Sequence, residues 1–136
     1  MKTNKIHHIA IAGHNIEEAA KLYQNVLGLT LSGVKEIPSQ KTNVGFVKCG
    51  GINIELIEPT GSDSTLAKFL EIRGQGLHHV CFEVDDMEAA LKACLDEKIT
   101  LIDKKPGLGS QHTKIAFIQP KSMGNVLVEF CELPKA

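Results

Sequence analysis

The sequence predicts an α+β fold made of two tandem βαβββ modules, and three observations predict it. Residues 6–22 (IHHIAIAGHNIEEAAKL) align without a gap on residues 77–93 (LHHVCFEVDDMEAALKA), at an offset of 71 residues (79 − 8). The ends of the two halves match as well. GFVKCGGINIELIEP (45–59) is similar to AFIQPKSMGNVLVEFCE (116–132); Phe46 meets Phe117 at the same offset, and Glu55 meets Glu129 at 74 (129 − 55). In each half the apolar period is two, then 3.6, then two again, the pattern of a strand, a helix and further strands. A period near 70 residues is too long for a solenoid unit and fits a duplicated half-domain. The chain is therefore read as one domain, 1–136, with half-modules over about 5–60 and 76–132.

The elements follow in order. Residues 5–12 alternate and read as a strand. Asn15 offers a helix N-cap with Glu18 three residues on, a capping box. Ile16, Ala19, Ala20, Tyr23 and Leu27 hold helical spacing, and Gly28 is placed to end the helix. Strands are expected over 29–36, 44–49 and 52–58, with a tight hairpin at Gly50–Gly51. Ser64–Ile72 reads as a short helix linking the halves. The second half repeats the scheme: a strand over 77–84, a cap at Asp85 or Asp86, and a helix bearing Met87, Ala90, Leu91 and Leu95. Strands over 99–104, 113–118 and 125–132 complete it.

Composition narrows the function classes. A length of 136 residues suits one domain with a substantial core. Hydrophobic residues at 43% and charged ones at 23% are ordinary for a soluble protein. A formal net charge of -1 gives no electrostatic reason to expect nucleic acid or an anionic membrane. No apolar run approaches the roughly 18 residues of a membrane span, and MKTNKIHHIAIAG lacks a signal-peptide pattern. A cytoplasmic location is expected. Cys49, Cys81, Cys94 and Cys131 form no C-x-x-C pair, so they read as reduced, packed thiols rather than as a structural zinc site.

The chemistry lies on the strand faces turned away from the helices. Ile9 and Ile11 go under the first helix, so His8 faces the other way with Ala10 and Ala12. By the same alternation His79 opposes Val80, Phe82 and Val84. Glu55 opposes Ile52, Ile54 and Leu56, and Glu129 opposes Val126, Val128 and Phe130. The duplication makes these four residues two equivalent His/Glu pairs. Two imidazoles and two carboxylates suit one divalent first-row ion and leave two octahedral positions for water or substrate oxygens. His7 and His78 are expected to face oppositely and to pack or bond at the strand edge.

At this point the chain resembles the vicinal oxygen chelate (glyoxalase/bleomycin resistance/dioxygenase) superfamily, and within it the methylmalonyl-CoA epimerases. The resemblance runs from Ile6 to Glu132 and is carried by HHIAIA, INIELIEP, SDSTLAKFLEIRGQGLHHVCFEVDD and PKSMGNVLVEFCE. It implies a cup-shaped, eight-stranded mixed sheet around a metal site. The implied ligands are His8, Glu55 (Gln or Glu in relatives), His79 and Glu129. It also implies a homodimer and an acyl-CoA substrate, with cobalt, nickel, manganese, zinc and iron all eligible as the ion. The implied reaction is proton transfer at C2 through an enolate, with Glu129 and Glu55 as catalytic groups.

One departure matters. Relatives carry a glutamate base before the strand VGFV, where this chain has Ser39. Serine is no base near neutral pH. Glu36, His112 and Glu55 are the groups available to replace it. Two other readings stand beside the epimerase. One is a glyoxalase I-type lactoylglutathione lyase, which resembles this chain in its His/Glu/His/Glu set. The other is a non-catalytic small-molecule binder. A ring-cleaving dioxygenase needs two His and one carboxylate, and Glu55 argues against it.

Overall fold

Side-chain alternation and helix caps produce the expected elements, and the computed structural model describes residues 2–109 and 112–135. In chain order these are β1 (Thr3–Ala12), α1 (Ile16–Leu27), β2 (Leu31–Ile37), β3 (Thr42–Cys49), β4 (Ile52–Pro59), α2 (Thr65–Arg73), β5 (Gly76–Val84), α3 (Met87–Asp96), β6 (Gly107–Leu108), β7 (Lys114–Ile118) and β8 (Val128–Glu132). Asn15 accepts from the Glu18 N–H at the start of α1, and Gly28, at φ 70°, ends it in the left-handed conformation. Ser64 caps α2 and Asp86 caps α3 by the same side-chain device. Among the described residues no helix is long and apolar enough to cross a membrane.

The chain divides into two compact units, His8–His78 and Met1–His7 with His79–Ala136. The boundary falls inside β1 and β5, so the first residues of β1 belong with the second half of the sequence. The central unit, His8–His78, has strand order β2-β3-β4-β1, with β4 parallel to β1 and the other neighbours antiparallel. One sheet face carries α1, where Ile16, Ala20, Val47 and Leu56 pack with Ile11 and Ile54. The other face buries Ala10, Ala12, Ile37, Val44 and Ile57 against Leu66 and Leu70 of α2.

The terminal unit has strand order β1-β5-β8-β7-β6, with β8 parallel to β5. Met87, Ala90, Leu91 and Cys94 of α3 pack on Val84, Ile118, Val128 and Phe130. Cys81, Ile115 and Cys131 cluster together with Phe117 beside them.

Two expected strands differ. Residues 99–104 form only a single bridge, Leu101 to Ile118. Phe117 N–H donates to the Asp103 carboxylate at 2.9 Å, so a side chain takes the place of a ladder partner. The expected strand 125–132 begins only at Val128. A 3-10 turn over Pro120–Met123 and left-handed φ values at Gly124 and Asn125 occupy the stretch before it. Val126 is accordingly exposed rather than in the core.

Candidate functional site

The alternation that sends Ile11 and Ile54 under α1 turns His8 and Glu55 to the opposite face of the central unit. Both are about 5% exposed. His8 Nδ1 lies 3.2 Å from Glu55 Oε2. The terminal unit builds the equivalent pair from β5 and β8: His79 is 8% and Glu129 4% exposed, with His79 Nε2 2.9 Å from Glu129 Oε1. Phe117 meets the His79 ring edge-on, with centroids 5.3 Å apart and planes at 86°, which fixes the imidazole plane by packing.

Buried charged groups are rare unless paired or bound to a metal. Each unit holds one such pair on duplicated strands. Two ligand atoms about 2.1 Å from one ion and at right angles stand about 3 Å apart. Each imidazole nitrogen and its carboxylate oxygen already have that spacing. Two nitrogens and two oxygens of this kind fit a divalent first-row cation.

The groups available to replace a base at position 39 are placed differently. Ser39 is exposed on the 3-10 turn Pro38–Gln40. Glu36 is also exposed and pairs across the ladder with Asn43, one residue out of phase with buried Ile37 and Val44. Its side chain therefore leaves the face that carries Glu55. His112 is exposed, at a left-handed φ of 60°. Glu55 alone of the three is buried beside an imidazole.

His78 packs edge-on against Phe69 of α2 at 4.7 Å, as a packed histidine should. His7, its counterpart on β1, is half-buried. One of its ring nitrogens lies within 4.8 Å of the Cys81 and Cys131 sulfurs, which cluster apart from the residues packed on α3. The hydrogen bond between the two thiols, followed by burial, pushes the Cys81 pKa far above the usual thiol range. Among the described residues all four cysteines are free.

Sequence reading also missed two glutamates. Glu58, three residues after Glu55, accepts the Ile16 N–H at the start of α1 at 2.8 Å. Glu132, three after Glu129, accepts the Met87 N–H at the start of α3 at 2.9 Å. Each strand bearing a buried glutamate is thus tied to the helix of its own unit. The repeat was the available signal, since both glutamates follow the matched position by three.

The glyoxalase/bleomycin resistance protein/dioxygenase superfamily model matches residues 7–117. A Bacillus subtilis protein described as uncharacterized is 43% identical over 129 residues, 95% of this chain and 92% of that protein. The mitochondrial methylmalonyl-CoA epimerase of Dictyostelium discoideum is 40% identical over 130 residues, 94% of this chain and 78% of its own. Among solved structures, Streptomyces coelicolor methylmalonyl-CoA epimerase in complex with 2-nitronate-propionyl-CoA matches with a TM-score of 0.91 at 28% identity. The match covers 97% of this chain and 96% of that one. The α+β architecture expected from the sequence is the fold of that enzyme.

Proposed function

Since the chain belongs to the glyoxalase/bleomycin resistance protein/dioxygenase superfamily, we propose that it is a metal-dependent epimerase moving the proton at C2 of methylmalonyl-CoA or a similar acyl-CoA. The observation that carries the proposal is the doubled, buried His–Glu pair on duplicated strands. The named epimerases among its relatives support the substrate class.

In this reading His8, Glu55, His79 and Glu129 hold one divalent ion. When bound, the ion supplies positive charge that stabilises the oxyanion as the enolate develops. The chain's own groups move the proton. Epimerisation needs one acid/base group for each face of the planar enolate. Glu129 serves one face. Glu55 serves the other, because Ser39 has no basicity, Glu36 leaves the face and His112 lies in solvent. The assembly proposed is a homodimer.

The test uses metal-loaded protein and methylmalonyl-CoA, following deuterium exchange at C2 alongside epimerisation. Balanced rates are expected in the wild type. Glu55→Gln should keep its metal and lose roughly 10²–10⁴-fold in epimerisation. Ser39→Glu should change little. Absence of both exchange and epimerisation in a metal-loaded protein would overturn the proposal. The buried carboxylate at both matched positions, with serine at 39, also favours a glyoxalase I-type lyase. Turnover of a methylglyoxal–thiol adduct in place of methylmalonyl-CoA would establish it.

A further inference from the structure

Each module packs a helix on its sheet, and the two modules fill that layer differently. In the central unit Tyr23 of α1 packs on the cluster of Ile16, Ala20, Val47 and Leu56. Its counterpart in α3, at the offset of 71 (94 − 23), is Cys94. Cys94 is buried in the cluster that holds Ile118 and Phe130, the counterparts of Val47 (118 − 47 = 71) and Leu56 (130 − 56 = 74). A thiol thus stands where the other module has a phenol. Two exchanges run the opposite way, Leu91 for Ala20 and Phe130 for Leu56. A cavity of about 320 Å³ remains between α3 and the sheet nonetheless.

Phe82, Ala90, Cys94, Ile118, Met123 and Phe130 form most of its wall. Phe82 on β5 and Phe130 on β8 lie on the strand faces turned toward α3. His79 and Glu129 alternate with them and point the other way, so the sheet itself separates the cavity from that His–Glu pair. Met123 ends the 3-10 turn Pro120–Met123, in the stretch where the second module is three residues longer (74 − 71). Among the described residues the lining carries one charged side chain, Glu97. Burial pushes the Cys94 thiol up, so it lines the wall as a neutral group.

We propose that this cavity binds a small uncharged aromatic molecule, one ring with a short substituent, seated where the Tyr23 ring lies in the other module. Three observations favour that occupant. The first is the repeat, which puts a phenol ring at the equivalent place of the same architecture. The second is size: a dry apolar cavity of about 150 Å³ accepts benzene, so this one holds a substituted ring. The third is the wall. Two phenyl rings, of Phe82 and Phe130, and two sulfurs, of Cys94 and Met123, meet the space, and both kinds of group prefer an aromatic partner. Apolar walls and the Glu97 carboxylate disfavour an anionic ligand.

The test is titration of the full chain with para-fluorophenol, followed by fluorine NMR of the ligand. Saturable binding is expected, and para-cresol, the tyrosine side chain as a free molecule, should displace the probe. Cyclohexanol has similar bulk without a π face and should compete about tenfold more weakly. Para-fluorobenzoate should not bind. Cys94→Tyr installs the residue of the other module and should abolish binding by filling the space. Cys94→Leu fills less of it, is the milder change to the core, and should weaken binding severalfold. No saturable binding in the wild type overturns the proposal, and so does binding that survives in both variants. Equal competition by cyclohexanol overturns the aromatic assignment. Affinity that falls as protein concentration rises would give the cavity to a second copy of this chain instead. None of these results bears on the epimerase reading, because the readout is ligand binding behind the sheet and not turnover.

Discussion

Replacing Glu132 by alanine removes the acceptor for the first N–H of α3. That N–H, from Met87, reaches Glu132 Oε1 at 2.9 Å, while the Asp86 side chain serves a different donor, the Ala89 N–H. The Glu132 side chain is 12% exposed, and the nearby Lys114 ammonium stands at 3.6 Å and is largely solvated. The ion pair therefore contributes little, and the helix contact dominates. A hydrogen bond from a backbone N–H to a charged acceptor is worth about 1.5–3 kcal/mol. Unfolding entropy of about 2.1 cal/mol/K per residue over 136 residues gives about 0.29 kcal/mol/K. The alanine variant should then melt about 5–10 °C lower. Glu132→Gln keeps an oxygen acceptor and should lose less than half of that. Calorimetry on metal-free protein is the assay. A shift under about 2 °C in Glu132→Ala, or equal shifts in the two variants, would refute the capping argument.

Three further outcomes are expected. Gly45→Ala should destabilise by about 1–3 kcal/mol by overpacking, read from urea unfolding, because a Cβ there would meet Ile16 Cγ2 at 2.7 Å. His79→Ala should lose metal by elemental analysis while His78→Ala keeps it, since His78 packs on Phe69 and His79 on Glu129. Sedimentation at micromolar concentration should give a dimer; a monomer would count against the proposed assembly.

Much of the fold was legible because the apolar period and the caps are local signals. Asn15, Ser64 and Asp86 mark their helices directly. The His–Glu pairs were legible because the repeat doubled them. What escaped was tertiary. Asp103 replaces a strand partner with its carboxylate, which no propensity records. Glu58 and Glu132 look like ordinary polar strand residues until the helix start arrives beside them. The repeat also hides a local asymmetry. Gly45 matches Ala116 at the offset of 71 (116 − 45), yet only the second module has room for the methyl. Branched Ile16 crowds Gly45, while its counterpart Met87 is unbranched at Cβ and adapts.

The proposed chemistry joins positions 39 and 55. A divalent ion held by two imidazoles, a glutamine and a glutamate keeps one net positive charge; with glutamates at both 55 and 129 it keeps none. The second carboxylate thus weakens the pull on a substrate oxygen and adds a proton acceptor in return. A glutamate at 39 would make that acceptor redundant; serine makes it necessary for transfer on a second face. In the proposed epimerase the two positions therefore answer for one function, and their substitutions should not be additive. Ser39→Glu alone should do little, Glu55→Gln alone should stall epimerisation, and the double variant should recover part of the loss if a carboxylate at 39 reaches the substrate. Equal loss in the double and single Glu55 variants would instead tie Glu55 to its role as a ligand.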